Sequence, residues 1–255
     1  MANPLTHSMA RVARGLEPVE GLGEVRQFLA ARDFFPATII RTDGKAVVLD
    51  LSAASPMLHG SPSGPGVARL SALIDDEMRR AGTAFAFGRY AEQRGLYDNE
   101  NFAGAGGSER RTVHMGIDLF CAADTAVWTP LDAEVHIVAS NMQELDYGPM
   151  LVLRHQAGRR EFFTLYGHLS LKSIAGRREG QRLRAGEQIA EVGSPPENGN
   201  WPPHLHFQLI IDLLGLGKDF PGVAYQSQRE FWLALSPSPA VFFPAWAPAL
   251  LDAGE

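Results

Sequence analysis

The chain has 255 residues, 45% of them hydrophobic, and a formal net charge of −6 at pH 7. A chain of this kind can bury a core, and its acidic balance excludes a general nucleic-acid binder, which needs a concentrated basic surface. The single cysteine, Cys121, excludes an internal disulfide and cannot by itself form a thiolate zinc site, so any metal must be held by histidine and carboxylate ligands. We expect Cys121 to be a buried structural thiol.

Residues 1–60 predict a small α+β region made of a helix and a hairpin. Val25, Phe28 and Leu29 mark a short helical face. Further along, the runs ATIIRT and AVVLDLS flank Asp43-Gly44, a residue pair favoured in two-residue hairpins. The N-terminal sequence has no apolar run of the length that a signal peptide needs, which favours a cytoplasmic location.

A linker and a packing helix are predicted over residues 61–85. A stretch rich in proline, glycine and serine comes first. From Val67 to Arg80 the apolar residues then repeat at helical spacing, while charged residues occupy the other faces. We expect this helix to have no chemistry of its own.

Residues 86–214 predict a mainly β domain, with an antiparallel, β-sandwich-like sheet. Its apolar segments are short, rich in β-branched and aromatic residues and separated by turns, with no helical period between them. The predicted strands lie at residues 149–155, 160–168, 187–193 and 204–211.

Residues 215–255 predict a proline-rich C-terminal extension. The prolines after Ser236 exclude long regular structure, so the apolar residues there are expected to pack along the main domain. No run in the whole chain approaches the length of a membrane span.

The run PPHLHFQLII is the first candidate for chemistry. Strand alternation places His204, His206 and Gln208 on one face and apolar residues on the other, so two imidazoles project together from a rigid strand. Taken alone, the motif is equally compatible with two polar residues on a solvent-exposed face.

A second candidate is the run RRTVHMGIDLF. A glycine separates His114 from Asp118 and permits a bend or a close backbone approach, so both side chains can converge on one point. Catalytic zinc takes three protein ligands of the imidazole and carboxylate type, so His114, Asp118 and one histidine of the strand would complete a set. The run FFTLYGHLS adds His168 at the end of a strand.

The motifs VHMGID, TLYGHLS and PPHLHFQL, in this order, resemble those of the lysostaphin/LytM-type peptidases, zinc endopeptidases that act mainly on peptidoglycan peptides. The resemblance covers roughly residues 86–211. It implies one zinc per chain held by His114, Asp118 and His206, the second histidine of HLH. It also implies that His168 and His204 are catalytic without binding the metal, and that a water activated by the metal attacks the amide carbonyl.

Two departures from the family pattern and one cluster upstream of the site stand out. The loop SPPENGNWPP before HLH is bulky and stiff and would wall or narrow a groove, and Gln208 stands where a glutamate is usual. A cluster of charged and aromatic residues lies upstream of the site: Arg89, Glu92, Arg94 and Tyr97. These side chains would bind an anionic group of the substrate or, as we favour, form an exposed ion-pair network. As a third alternative, the whole segment of residues 86–105 would cover the metal and inhibit the enzyme.

The leading hypothesis is therefore a zinc-dependent hydrolase of peptide or amide bonds, with a peptide or a peptidoglycan-like molecule as substrate. The alternatives are a non-hydrolytic metal-binding or regulatory module and a cytoplasmic small-molecule amidase. The family resemblance favours an extracytoplasmic location, against the expectation from the N-terminus. The oligomeric state is not predicted.

Overall fold

The computed structural model describes residues 21–31, 39–42, 45–58, 66–97, 102–103, 109–243 and 251. Four α-helices fall in this part of the chain: α1 (Leu22–Ala31), α2 (Gly66–Ala81), α3 (Leu171–Ile174) and α4 (Arg229–Leu235). The strands are β1 (Val47–Val48), β2 (Ala86–Gly88), β3 (Arg111–His114), β4 (Ile117–Phe120), β5 (Ala126–Trp128), β6 (Ala133–Asn141), β7 (Gly148–Ala157), β8 (Arg160–Gly167), β9 (Arg182–Leu183), β10 (Gln188–Glu191), β11 (His204–Ile210) and β12 (Val223–Tyr225).

An eight-stranded sheet in the order β1-β2-β4-β11-β8-β7-β6-β9 forms the body of the molecule. Its neighbouring strands run antiparallel, except β1 and β2, which are parallel. Two small antiparallel pairs, β5 with β10 and β3 with β12, complete the described strands. The predicted mainly β, antiparallel fold is confirmed, and each of the four predicted strands is present.

The central strand β11 is buried on both faces, and all seven of its residues are buried. Leu205, Phe207 and Leu209 point into the larger apolar core, as the alternation predicts. The Phe207 ring packs at 5.2 Å from Tyr166 and 5.6 Å from Phe242. The opposite, histidine-bearing face is also covered, so the polar side chains there are removed from bulk water.

The N-terminal prediction is correct for the helix and wrong for the hairpin. Helix α1 packs against β7 and β8, with Val25 and Leu29 buried. Residues 39–42 form no strand, and β1 instead joins the edge of the main sheet beside β2. Asp43-Gly44 lies outside the described residues. A parallel partner distant in sequence thus replaces the local turn partner that this dipeptide suggested.

Helix α2 confirms the helix predicted from Val67 to Arg80, with Leu70 and Ile74 buried against the strands nearby. Cys121 is also buried, and burial raises the pKa of its thiol to about 11, as fits a structural cysteine. No helix in the described ranges has the length and hydropathy needed to span a bilayer.

The chain beyond residue 214 is closely joined to the sheet. Strand β12 pairs with β3, so that Val223 lies opposite His114, and the amide of Met115 donates to Gly222 O at 2.9 Å. A short 3₁₀ helix, Pro239–Phe242, packs on the core, as expected for this proline-rich region. The division of the chain into four regions remains a prediction, but residues 220–243 contribute directly to the domain that carries the histidines.

Candidate metal centre

Three side chains from neighbouring strands converge on one point. His206 on β11 lies directly opposite Asp118 on β4, and His114 enters from the end of β3. His114 Nε2 is 3.0 Å from His206 Nδ1, and Asp118 Oδ1 is 3.2 Å and 3.1 Å from these two nitrogens. The predicted convergence of these residues is thus present in the fold.

Gly116 makes this convergence possible. A Cβ at this position would lie 2.6 Å from Cε1 and 2.8 Å from Nε2 of His206, closer than real side chains approach. The glycine between His114 and Asp118 therefore permits the His206 ring to pack against the backbone of the turn, as its place in the motif predicted.

Hydrogen bonds on the far side of each ring set the tautomers. His114 Nδ1 donates to Arg89 O at 2.9 Å, and His206 Nε2 donates to Gln208 Oε1 at 2.9 Å. The Gln208 amide is itself oriented, because its Nε2 donates to Ser236 Oγ and to the carbonyl of Pro221. Each imidazole therefore presents a lone pair, and no proton, to the shared point.

The three atoms fit a metal ion. Zinc bonds of about 2.0 Å in a tetrahedral arrangement place neighbouring ligand atoms about 3.3 Å apart, close to the observed 3.0–3.2 Å. Two lone pairs and a carboxylate at this spacing repel one another unless a cation lies between them. His114, Asp118 and His206 also form the cluster of possible metal ligands found among the described residues.

Asp118 is ionised although it is buried. Burial by itself would raise the pKa of its carboxyl, but the neighbouring His114 and Arg94 side chains outweigh burial and hold the pKa well below the usual range. Arg94 Nη1 donates to Asp118 Oδ2 at 2.5 Å. Burial, together with the charge of Arg94, lowers the pKa of His114 to about 4, so this ring is neutral near pH 7 and able to bind a metal.

His168 and His204 lie beside the three ligands, with ring centroids 4.3 Å apart. Their Nδ1 atoms donate to the carbonyls of Asn198 and Pro202, at 2.8 Å and 2.7 Å. His204 Nε2 is 3.8 Å from Asp118 Oδ1. Burial, with the neighbouring imidazoles, lowers the pKa of His168 well below its usual range, and burial also lowers that of His204.

The backbone of His168 adopts the left-handed conformation, with φ +62°. A bulky residue pays a conformational cost there, and such strain is concentrated at functional sites. The amide of His168 donates to Tyr147 O at 2.7 Å, and its carbonyl accepts from Gly193, which holds the turn.

The loop SPPENGNWPP walls the site, as predicted. The centroid of the Trp201 ring lies 6.2 Å from those of both His168 and His204. The Asn198 side chain holds the loop in place, because its amide nitrogen donates to the carbonyl of Trp201 and its amide oxygen accepts from the Trp201 backbone N–H. A cavity of about 240 Å³ opens above the histidines, with Tyr97 and Trp201 in its lining. The five site side chains are only 2–6% exposed, so this cavity is their access to solvent.

The upstream cluster differs from the exposed ion-pair network that we favoured. Glu92, Arg94 and Tyr97 are 2–6% exposed, and Arg94 lies against Asp118. Tyr147 and Ser236 were also missed: the Tyr147 ring packs 5.5 Å from His206, and Ser236 supports Gln208. No motif marks these two residues, since their roles arise from contacts across the fold.

Of the remaining histidines, His155 is buried and hydrogen-bonded within the sheet, and His136 packs on Phe163. Neither joins the site. His7 and His59 lie outside the described residues.

A mainly β domain in which two histidines and an aspartate converge on one point has the ligand set of a catalytic metal centre. Residues 112–214 match the sequence model of Peptidase family M23, so this part of the chain is a peptidase M23 domain. The resemblance seen in the order of the motifs is confirmed. No curated protein matches the chain.

Several solved structures are similar over part of the chain. A zinc containing peptidase from Vibrio cholerae is 27% identical over 42% of this chain and 30% of its own, with a TM-score of 0.33. A solution structure of lysostaphin is 25% identical over 40% and 38%, also at 0.33. The lysostaphin catalytic domain from Staphylococcus simulans is 23% identical over 51% and 83%, at 0.34. This chain thus spans less than two fifths of the length of the first two.

Proposed function

We propose that this protein is a zinc-dependent hydrolase of peptide or amide bonds, with one zinc per chain held by His114, Asp118 and His206. The observation that carries the proposal is the triangle of three possible ligand atoms, 3.0–3.2 Å apart, in which the other nitrogen of each imidazole is already hydrogen-bonded to an oxygen. The membership of residues 112–214 in a peptidase family supports the same reaction.

His168 and His204 are the groups that move protons in this proposal. Their Nδ1 atoms are occupied by backbone carbonyls, which leaves each Nε2 with its lone pair directed away from those bonds. Because their pKa values are lowered, both rings are neutral near pH 7, and an Nε2 can accept a proton from the attacking water and return it to the leaving amine. Zinc, when bound, supplies Lewis-acid chemistry and activates water.

A peptide is the substrate that the family favours, and peptidoglycan peptides are the finer proposal. A second candidate, a short peptide or small amide, is favoured by the enclosed site. Ligand pockets for drug-sized molecules measure about 300–1,000 Å³, whereas the cavity here is about 240 Å³ and Trp201 stands at its wall. A cytoplasmic enzyme would meet such short substrates, and an extracytoplasmic one would meet the cell wall.

Metal analysis combined with hydrolysis assays tests the proposal. Wild type, His206→Ala and a matched control, His136→Ala, are purified and their zinc content is measured. Each is then assayed on peptidoglycan fragments and on a library of short peptides. We expect about one zinc per chain in wild type and control, and loss of zinc and of turnover in His206→Ala.

Three results would count against parts of this proposal. Wild-type protein that takes up no zinc would contradict the ligand assignment. Zinc binding without turnover on any substrate would favour a non-hydrolytic module. Turnover confined to short peptides would reject peptidoglycan as the substrate.

A further inference from the structure

Arg94 is a buried cation that lies next to the metal centre without belonging to the ligand set. Its side chain is 3% exposed, and Nη1 donates to Asp118 Oδ2 at 2.5 Å. The other oxygen, Asp118 Oδ1, faces His114 and His206. The two oxygens of one carboxylate are thus divided between the guanidinium and the shared point of the three ligands.

The neighbouring strand leaves space for the guanidinium at this point. Gly88 on β2 is the register partner of Asp118 on β4. A Cβ on Gly88 would lie 2.5 Å from Arg94 Nη2 and 3.3 Å from Asp118 Cβ. The absence of a side chain opposite Asp118 therefore creates the slot that Arg94 fills.

Hydrogen bonds on the side away from Asp118 fix the guanidinium of Arg94. Its Nε donates to Glu92 Oε2 at 3.0 Å, and Glu92 Oε1 accepts from the amide of Leu51 at 3.1 Å. The carbonyl of Arg89 accepts from Arg94 Nη2 at 3.4 Å and from His114 Nδ1 at 2.9 Å. The segment from Gly88 to Arg94 thus contacts two of the three ligands, and the guanidinium has little freedom to move.

We propose that Arg94 is a positioning residue for the metal centre, anchored by Glu92 and admitted by Gly88. This inference rests on the proposed function. The charge-assisted bond to Oδ2 turns the Asp118 carboxylate so that Oδ1 alone is presented to zinc, and hydrogen bonds to a ligand of this kind strongly affect metal affinity. The cluster at residues 89–97 therefore supports the ligands and does not act as an exposed ion-pair network.

Zinc affinity of variants tests this role. Arg94→Met removes the guanidinium and keeps most of the side-chain volume, whereas Arg94→Lys keeps the charge without the forked geometry. Arg154→Met is the matched control, because Arg154 forms ion pairs with Glu134 and Glu161 at the surface. The dissociation constant is measured by competition with a chromophoric zinc chelator, beside the melting temperatures of the metal-free and zinc-loaded forms.

We expect Arg94→Met to bind zinc about 10-fold to 100-fold more weakly and to show a smaller rise in melting temperature when zinc is added. Arg94→Lys should recover part of the affinity, and Arg154→Met should match wild type. A purely structural role would lower the melting temperature of the metal-free form and leave the zinc affinity unchanged. That result would overturn the inference.

Two further variants decide the matter if Arg94→Met does not fold. Gly88→Ala places a methyl group in the slot, and Glu92→Gln loosens the anchor; both should weaken zinc binding, and wild-type affinity in both overturns the inference. If wild type and Arg154→Met bind zinc and hydrolyse peptides, and all the Arg94 variants bind zinc and hydrolyse peptides equally well, only this inference fails. If wild type binds no zinc, the proposed function fails and the inference with it.

Discussion

Among the described residues four buried histidines form a cluster and a fifth, His155, lies apart from it, and only the cluster brings possible metal ligands together. The cluster lies around Asp118 and consists of His114, His168, His204 and His206. Elsewhere in the sheet, His155 on β7 is equally buried, and burial lowers its pKa to about 4, as it does for His114. Neither burial nor a lowered pKa therefore separates His155 from His114 of the cluster.

The hydrogen-bond partner of the acceptor nitrogen distinguishes His155 from the histidines of the site. His155 Nδ1 donates to Asp132 O at 3.0 Å, and its Nε2 lies 2.7 Å from the Thr164 hydroxyl, which can donate to it. Both nitrogens of His155 are satisfied within the protein. At the site, by contrast, His114 and His206 bring lone pairs to within 3.0 Å of each other. A buried histidine thus indicates metal binding when its acceptor nitrogen faces other acceptors.

The largest expected difference between the cluster and His155 is in turnover. His168→Asn removes the imidazole and keeps a residue that tolerates left-handed backbone. We expect it to retain zinc and to lose about 10²-fold to 10⁴-fold in kcat, the range for a general acid-base group. His155→Gln is the counterpart and should keep wild-type kcat. If both variants keep their zinc and lose kcat equally, His168 is no more important for turnover than His155.

A smaller effect is expected from Gly116→Ala. The added methyl group would meet the His206 ring at 2.6 Å and displace it from the other ligands. We expect zinc affinity to fall by about tenfold or more, as when a ligand is misplaced. Gly176→Ala is the control, because a Cβ there meets nothing within 4 Å. Unchanged affinity in Gly116→Ala would show that the ring has room to move.

The third expected effect is on the stability of the fold in acid. The folded-state pKa of His155 is about 4, below the value of about 6.5 in an unfolded chain, so the unfolded state takes up the proton first as the pH falls. The free energy of unfolding therefore decreases between about pH 6.5 and pH 4, by roughly 3 kcal/mol for this group.

His155→Gln should flatten that part of the profile. The measurement is urea unfolding of metal-free wild type and variant across this pH range. Parallel profiles would show that His155 does not contribute to the acid sensitivity of the fold.

Much of the ligand set could be predicted because it follows from local pattern. Strand alternation puts His204 and His206 on one face, and the spacing of His114, Gly116 and Asp118 permits their convergence. The main strands were equally predictable, since each is a short apolar run bounded by turns. These features depend on residues a few positions apart.

The features that could not be predicted depend on register between distant segments. Arg94 contacts Asp118 because Gly88, which has no side chain, lies opposite Asp118 on the neighbouring strand. Strand β1 pairs in parallel with β2, although Asp43-Gly44 suggested a local hairpin. The spacing of apolar and polar residues within a segment does not indicate which distant strand will pair with it.

The hydrogen bonds from Gln208 to Ser236 and Pro221 have a practical consequence for recombinant work. The family match ends at residue 214, yet the hydroxyl that orients the partner of His206 lies at residue 236, and β12 covers the strand that carries His114. A fragment cut at residue 214 would expose the buried amide of Gln208 and one edge of β3. Recombinant fragments meant to retain the proposed metal centre should therefore extend at least through Phe243, the last residue of the described continuous segment that packs on the core.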